Sequence, residues 1–225
     1  MTVVGATRPR LDDATGSIPD GGVTVIVGPS GAGKSTLLRL CNRLEMPDTG
    51  TVRFRGDDVA ELDPLMLRRH VGMVFQRPTP FDLSVEENLR VAEPELTRRA
   101  AVLALRRVEL DPSFLDRDAT ELSGGEAQRM CLARTLVTRP SVVLMDEPTS
   151  SVDPATRTAL EKLGRALADN DVPVVWVTHD LAQMRRLADH VVVVIGGRIA
   201  HAGSVAGLDT GAPEQVRAFL AGAAA

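Results

Sequence analysis

The chain contains no apolar run long enough to cross a membrane. Its longest purely aliphatic run is Val191–Ile195, whereas a membrane-spanning helix needs about 20 consecutive apolar residues. The first residues, Met1–Arg10, also lack the apolar core of a secretory signal peptide. If the protein works at a membrane, another chain must supply the membrane-spanning segments.

Cysteine is scarce, with only Cys41 and Cys131 in the whole chain. Both fall on apolar patterns of helical period, and neither has a second type of metal-ligating residue beside it. We therefore expect two reduced cysteines in the core of a cytosolic protein, and neither a disulfide nor a metal pair.

Lysine and an excess of positive charge are also missing. Only Lys34 and Lys162 are present, and the net charge is −4 with acidic and basic residues interspersed. This composition gives no sign of a surface that binds nucleic acid, so we expect no nucleic-acid partner. At 225 residues, 44% of them hydrophobic, the chain suits one compact domain that can carry a subdomain.

A glycine-rich loop is the most informative motif. Residues Gly28–Ser35 read GPSGAGKS, the P-loop pattern G-x-x-x-x-G-K-[ST], between the apolar run Val23–Val27 and a helical pattern. The glycines let backbone N–H groups curl around phosphate oxygens, and the helix N-terminus adds positive charge. The alternative is a glycine-rich turn without a ligand. The predicted nucleotide-binding residues are Gly28, Pro29, Ser30, Gly31, Ala32, Gly33, Lys34, Ser35 and Thr36.

Two carboxylates end a predicted buried strand, Val142–Asp146. Asp146, at the strand tip, can hold Mg²⁺, and the Ser35 hydroxyl of the P-loop can supply a second oxygen. Glu147, one residue further on, suits a general base that polarises the attacking water. The alternative is a strand that simply ends in acidic residues.

A second glycine pair opens another predicted helix. The segment consists of Leu122, Ser123, Gly124, Gly125 and Glu126. A serine hydroxyl and unobstructed glycine N–H groups at a helix N-terminus suit a phosphate oxygen. An ordinary helix cap explains the same residues equally well.

Short apolar runs alternate with helical patterns over much of the chain, which predicts a doubly wound α/β fold with a parallel sheet. The predicted strands are Val23–Val27, His70–Gln76, Val142–Asp146, Val174–Thr178 and Val191–Ile195. The predicted helices are Ser35–Leu44, Pro154–Ala168 and Asp180–Ala188, with a short one at Pro213–Leu220. Between Arg77 and Ser123 the pattern is helical without a convincing strand, which indicates a helical insertion.

These motifs together resemble those of ATP-binding cassette (ABC) ATPases, over Leu11–Gly203. They occur in that family's order: Gly28–Ser35, Gln76, Leu122–Glu126, Asp146-Glu147, Ser151–Asp153 and His179. The resemblance implies a single ABC ATPase domain over residues 1–225, of α/β class, that uses ATP and Mg²⁺. It further implies a P-loop NTPase (RecA-like) core at residues 1–76 and 135–225, with residues 77–134 forming a helical subdomain insertion that carries the signature motif.

The family's roles carry over to the residues at matching motif positions. Catalytic roles would belong to Lys34, Gln76, Glu147 and His179, with Gln76 and His179 sensing the γ-phosphate. The residues implied for Mg²⁺ are Ser35, Gln76 and Asp146. The residues implied at a dimer interface are Ser151 and Asp153.

In this family the signature motif works in trans, so each ATP would lie between the P-loop of one copy and Ser123–Gly125 of the other. The resemblance therefore implies a homodimer or a pair of ATPase subunits. It also implies separate membrane permease subunits as partners, and a peripheral location on the cytoplasmic face of the cell membrane. Phe81, Leu83 and Ser84–Leu89 are candidates for the docking groove, or else ordinary core of the subdomain.

The resemblance favours the ATPase subunit of a membrane transporter, and a soluble ABC ATPase in translation or DNA repair is the alternative. Two local resemblances concern the solute. Gly72–Pro78 with Pro80-Phe81 is similar to phosphate-import ATPases, whereas Val175–Asp180 and the compact helical segment look like small iron-export ATPases. Phosphate, or a metal ion such as iron, is thus the expected substrate.

The sequence departs from the family at its N-terminus. Members usually begin with an extra strand and an aromatic residue that stacks on adenine, expected here near Val4–Thr7. This chain has no tyrosine, and no tryptophan or phenylalanine before Phe54. We therefore expect the first strand to be short or missing. Either the true start lies upstream, or apolar contacts such as Val3 or Val4 hold adenine.

Overall fold

The structure, a computed structural model, describes residues 1–222, apart from the side chains at positions 209 and 210. Its strands are β1 (Thr2–Arg8), β2 (Leu11–Ser17), β3 (Val23–Val27), β4 (Thr49–Phe54), β5 (Asp57–Asp58), β6 (Val71–Val74), β7 (Val142–Asp146), β8 (Val174–Val177), β9 (His190–Ile195) and β10 (Arg198–Ser204). Its α-helices are α1 (Lys34–Cys41), α2 (Pro64–His70), α3 (Val85–Ala92), α4 (Arg98–Arg107), α5 (Gly124–Leu136), α6 (Pro154–Ala168), α7 (Leu181–Leu187), α8 (Val205–Gly211) and α9 (Glu214–Gly222).

A six-stranded sheet of order β10-β9-β3-β8-β7-β6 forms the centre of the molecule. Strands β9, β3, β8, β7 and β6 are parallel, and β10 pairs with β9 antiparallel. Every residue of β3, β7 and β8 is buried because helices cover both faces of the sheet. Val25 belongs to the buried cluster that includes residues of α5, α6 and α7, whereas Ile26 belongs to a second cluster that includes residues of α1. The predicted α/β class is confirmed.

A second, antiparallel sheet of order β2-β1-β4-β5 lies at the N-terminus. The expectation of a short or missing first strand is wrong, since β1 has seven residues and pairs with both β2 and β4. Irregular registers in both pairings interrupt the alternation that would have revealed the strand. Buried Val3 and Ala6 turn its inner face towards α1.

Element ends differ from prediction by a few residues, for local reasons. The strand predicted at His70–Gln76 is shorter, because His70 ends α2 and β6 ends at Val74. The helix predicted at Ser35–Leu44 ends at Cys41, because Arg43 adopts a left-handed backbone with φ 56°. Asp180 caps α7 through a hydrogen bond to the backbone of Gln183 and is not part of it.

The segment between β6 and β7 is helical, as predicted. It contains α3, α4, two 3₁₀ helices at Pro112–Asp116 and Ala119–Glu121, and the start of α5. Leu89, Leu105 and Met130, one from each of α3, α4 and α5, are fully buried in a shared hydrophobic core. Both predicted free cysteines are buried and unpaired, which confirms their assignment to the core.

No helix within residues 1–222 is long and apolar enough to span a bilayer.

Candidate functional site

A cleft of about 330 Å³ opens at the carboxyl-terminal edge of the six-stranded sheet, where open α/β sheets bind ligands. The structure thus brings four sequence motifs to one place. The residues that line the cleft are Arg10, Ser30, Gly31, Ala32, Gly33, Lys34, Ser35, Thr36, Gln76, Glu147 and His179.

The P-loop forms the floor of this cleft, between β3 and α1. Two of its glycines are required by close backbone contacts. At Gly28, with φ 154°, a Cβ atom would lie 2.0 Å from the Val194 carbonyl oxygen. At Gly33, with φ 101°, it would lie 2.4 Å from the Arg10 carbonyl oxygen. Side chains at either position would push the loop away from its neighbours.

The Lys34 side chain forms hydrogen bonds with the backbone of the P-loop itself. Its Nζ donates hydrogen bonds of 2.8 Å to the Gly28 carbonyl and 2.9 Å to the Pro29 carbonyl. An ammonium group has three donors, so one remains for an anion in the cleft. Burial lowers the pKa of Lys34, and the nearby carboxylates of Glu147 and Asp146 oppose that shift.

Ser35 and Asp146 place two oxygen atoms side by side. The Ser35 hydroxyl donates a 2.8 Å hydrogen bond to Asp146 Oδ1. Asp146 is only 3% exposed, and its burial raises the pKa of the carboxyl group, against the effect of the Ser35 hydrogen bond. A hard cation such as Mg²⁺ prefers oxygen donors of this kind and shares them with substrate phosphates. The donor set therefore fits Mg²⁺.

Glu147 and His179 face each other at the mouth of the cleft. His179 Nδ1 lies 3.1 Å from Glu147 Oε2. The backbone of Glu147 is left-handed, with φ 45°, and its N–H donates to the Val177 carbonyl at 3.1 Å. This bend directly after β7 separates the Glu147 side chain from that of Asp146, so the two carboxylates can serve different purposes.

Gln76 lines the cleft from the end of β6, and its Nε2 donates to Ser150 Oγ at 3.3 Å. The residue before it is anchored by the helical segment, because Gln128 Nε2 donates to the Phe75 carbonyl at 3.0 Å. Gln128 is 1% exposed on α5. It links the signature helix to the cleft, a connection that sequence patterns did not reveal.

The segment Leu122–Glu126 does not line this cleft in the single chain. Ser123 caps α5, with a reciprocal bond from the Ser123 N–H to the Glu126 carboxylate at 2.8 Å. Ser123 and Gly124 are both exposed, and a Cβ on Gly124 would meet no other atom within 4 Å. The segment predicted as a second phosphate cap is thus an exposed helix N-terminus, outside the lining of the P-loop cleft in its own chain.

The predicted dimer loop precedes α6. Ser151 and Asp153 are both exposed. Asp153 caps the helix, with its carboxylate accepting from the backbone N–H of Ala155 at 2.9 Å and of Thr156 at 3.0 Å. Neither residue lines the cleft of its own chain.

The adenine contact expected near Val4–Thr7 stays a prediction. These residues belong to β1, and none of them lines the cleft. Val3 is 2% exposed in the core, so it is also unavailable to a base. Arg10, in the turn that follows β1, lines the cleft instead.

A family model described as ABC transporter matches residues 11–150. The chain belongs to the ABC transporter family. It is an ABC ATPase, which binds and hydrolyses ATP, as the order of its motifs predicted.

Individual relatives agree with this assignment. The chain is 42% identical over 187 residues to Protein STAR1 of Oryza sativa subsp. japonica, covering 81% of this chain and 54% of that protein. It is 40% identical over 238 residues to a Haloferax volcanii protein named "Probable anion import ATP-binding protein", covering 94% and 81%. It is 40% identical over 211 residues to the phosphate import ATP-binding protein PstB of Saccharolobus solfataricus, covering 86% and 82%. The chain thus spans little more than half the length of STAR1.

Solved structures share the fold. The ATP-binding cassette MJ0796, a dimer in a post-hydrolysis state with ADP and Pi, superposes with a TM-score of 0.81 at 27% identity, covering 91% of this chain and 98% of that one. The cbiO1 protein of Clostridium perfringens, described as part of the ABC transporter complex cbiONQ, gives a TM-score of 0.79 at 27% identity, covering 90% and 87%.

Proposed function

We propose that this ABC ATPase is one of two ATPase subunits that drive a membrane importer, and that the imported solute is phosphate. The observation that carries the proposal is the identity of about 40% to a PstB and to an anion import protein, each over more than four fifths of this chain. These relatives favour an oxyanion over the metal ion that the sequence also allowed. A role in translation or DNA repair is not favoured.

Within the cleft, ATP phosphates would lie on the P-loop, with the free Lys34 donor on the β- and γ-phosphates. Ser35 and Asp146 would hold Mg²⁺, with Gln76 near it, and the ion would neutralise phosphate charge. Glu147 would accept the proton of the attacking water. His179, whose Nδ1 lies 3.1 Å from Glu147 Oε2, would orient that carboxylate and reach the γ-phosphate.

The separation of the two phosphate caps supports a dimer. Ser123 Oγ accepts from the Glu126 N–H, so its hydroxyl proton is free to donate to a phosphate oxygen. The N–H groups of Gly124 and Gly125 lie in the first turn of α5, where no carbonyl of the helix can bind them. Because this cap is accessible but remote from its own P-loop, the ATP of a second copy is the ligand that it fits. Ser151 and Asp153 would lie at the same interface.

The domain boundaries remain part of the proposal. Residues 1–76 and 135–225 would form the nucleotide-binding core, and residues 77–134 the subdomain, all within one domain of residues 1–225. Residues 223–225 lie outside the described part of the chain. Helix α5 runs without a break from Gly124 to Leu136 and so crosses the second boundary. A movement of the signature segment would therefore be transmitted rigidly to the core.

A groove of about 610 Å³ between core and subdomain is suited to a membrane subunit. Apolar residues dominate its lining, and Phe75, Phe81 and Val91 are 41%, 46% and 53% exposed. Contiguous exposed apolar surface of this kind marks an interaction site. The arginines on the lining, Arg68, Arg77 and Arg134, favour a partner segment with acidic residues. We assign the groove to an amphipathic, acidic segment of the permease.

Of the residues that the sequence suggested for this groove, some line it and others are buried in the subdomain. Phe81 lines it, and the Arg134 guanidinium lies 4.6 Å from the centre of the Phe81 ring, which holds that ring in place. Val85 and Leu89 are fully buried and belong to the subdomain core. Docking through the groove would hold the subunit at the cytoplasmic face of the membrane.

Transport by the assembled complex tests this function. The ATPase would be purified together with its permease subunits, placed in proteoliposomes, and supplied with ATP on its own side. We expect ATP-dependent uptake of labelled phosphate. ATP-dependent transport of a metal ion, without phosphate uptake, would contradict the proposed substrate.

A further inference from the structure

A glutamine in the first turn of α7 is buried, although glutamine is mostly an exposed residue. Gln183 is 1% exposed and lies on the helix that begins directly after His179 and its neighbour Asp180. The Gln183 backbone N–H donates to the Asp180 carboxylate at 2.9 Å, which fixes the residue to the start of this helix. Burial of an amide side chain is costly unless its polar atoms find hydrogen-bond partners. The partners of Gln183 therefore indicate its role.

The Gln183 amide joins two other parts of the structure to α7. Its Nε2 donates to Glu161 Oε1 on α6 at 2.8 Å and to Thr149 Oγ1 at 3.0 Å. The Glu161 carboxylate also pairs with Arg186 and can only accept, so the amide nitrogen must face it. Both N–H groups of the amide are thus used, one on each partner. Gln183 thereby links α7 to α6 and to the segment between β7 and α6.

The segment that contains Thr149 also carries Glu147. Residues 147–150 form a turn, which the Ser150 N–H closes with a 3.1 Å hydrogen bond to the Glu147 carbonyl. Glu147 opens the turn with φ 45°, and a left-handed backbone at a residue other than glycine persists only where surrounding contacts hold it. Thr149 is 6% exposed, and its hydroxyl is bonded to Gln183. Gln183 is therefore one of the contacts that hold this turn.

Packing alone does not fix the side chains of Glu147 and His179. Both line the nucleotide cleft, and both also line a second pocket of about 270 Å³. Gln183 and Thr149 lie on the wall of that second pocket. Because open space borders the Glu147 and His179 side chains in both places, the distance between them depends on the backbone segments that carry them.

We propose that Gln183 is a positioning residue for ATP hydrolysis, which holds the turn that carries Glu147 at a fixed distance from His179. The inference rests on the proposed role of Glu147 as general base and names a residue on which that role depends. The Gln183 backbone belongs to the helix that follows His179, whereas its side chain is bonded to the turn that begins at Glu147. Displacement of a catalytic group by about 1 Å can lower a rate about a hundredfold. Loss of the Gln183 contact should therefore slow turnover without weakening ATP binding.

Gln183→Leu tests this, because leucine has a similar size but forms no hydrogen bond. We expect kcat to fall about tenfold or more. The Kd for ATP with Mg²⁺, measured by titration, should stay at the wild-type value because Gln183 does not line the nucleotide cleft. A wild-type kcat, or a weaker Kd with kcat unchanged, would overturn the inference.

The other side of the contact gives a second test, should Gln183→Leu fold poorly. Thr149→Val removes the hydroxyl but keeps the shape of the side chain, and it should lower kcat as Gln183→Leu does. Thr149→Ser keeps the hydroxyl and should retain the rate. Equal rates in the valine and serine variants would mean that the hydrogen bond does not matter, and would overturn the inference.

The matched control is Arg186→Gln, on the same helix. Arg186 pairs with the same Glu161 carboxylate at 3.0 Å, and its side chain is 53% exposed. The variant removes a bond between α6 and α7 but leaves the contact with Thr149, so it should hydrolyse ATP as wild type does. A loss of kcat equal to that in Gln183→Leu would mean that the packing of α6 against α7 sets the rate, and would overturn the inference.

Combination with Glu147→Gln separates positioning from a general loss of structure. Gln183→Leu should not lower the residual hydrolysis of Glu147→Gln further, because the group that Gln183 positions is already gone. A further tenfold loss in the double variant would show an effect independent of Glu147, which overturns the inference but spares the proposed function. Wild-type hydrolysis by Glu147→Gln would instead remove the proposed general base, and the inference with it.

Discussion

The Ser35 hydroxyl and the Asp146 carboxylate lie 2.8 Å apart, which joins the first helix of the fold to the end of β7. With no charge to balance it directly, Asp146 relies on this hydroxyl and on weaker attraction from Arg39 and Lys34. The carboxylate is thus placed for a cation at a cost to the stability of the empty protein.

Asp146→Asn should stabilise the nucleotide-free protein. Because burial raises the folded pKa of Asp146, the folded state favours the protonated carboxyl, and stability falls as pH rises through the range above the ordinary value of about 3.9. The variant avoids this loss. In thermal unfolding, Asp146→Asn should have a higher melting temperature than wild type near neutral pH, and the difference should shrink towards acid pH. The variant should also lose Mg²⁺-dependent hydrolysis. A less stable variant at neutral pH would contradict the argument.

Ser123→Arg should leave ATP binding by the monomer intact but abolish turnover, because Ser123 would serve the ATP of the other subunit. Mixing it with Lys34→Ala should restore some activity, since their heterodimer contains one intact composite site. Nucleotide titration and ATPase assays measure both effects.

Ser84→Arg is the matched control for this experiment, since Ser84 caps α3 with the same reciprocal pattern through Glu87. Loss of either cap costs about 1 kcal/mol of stability, but Ser84→Arg should hydrolyse ATP normally. If Ser123→Arg destroyed ATP binding by the monomer, the arrangement in trans would be wrong.

Phe81→Glu should prevent assembly with the permease without changing the ATPase activity of the isolated subunit. Phe81 lines the groove, and a carboxylate there would repel the acidic segment that we assign to it. Leu103→Glu is the control, because Leu103 is 57% exposed on α4, away from the groove. Co-purification with the membrane subunits measures the effect. Equal retention of the permease by both variants would remove the groove from the interface.

The motifs that line the cleft were readable from the sequence because each is short, local and chemically specific. The runs that became β3, β7 and β9 are continuous and apolar, as expected of strands covered on both faces. The N-terminal strands were missed because β2 reads LDDATGS, with only Leu11 and Ala14 buried. Half-exposed strands with irregular pairing have no clear period.

The sequence also did not reveal which residues, distant along the chain, come together at the cleft. Counting residues back from the P-loop placed the base contact within Val4–Thr7, but the hairpin turn brings Arg10 to the cleft. The Pro9-Arg10 pair was the available signal for that turn. Gln128 gave no signal, because its contact with the Phe75 carbonyl joins residues 53 positions apart.

The central claim is that ATP completes an interface between two copies of this chain, and Glu147→Gln tests it most directly. Removing the general base should lower hydrolysis by about a hundredfold or more while ATP still binds. Size-exclusion chromatography with light scattering should then show a dimer that requires ATP and Mg²⁺. The double variant Glu147→Gln/Lys34→Ala should not form this dimer. A Glu147→Gln protein that stays monomeric with ATP, and hydrolyses it at the wild-type rate, would contradict the account.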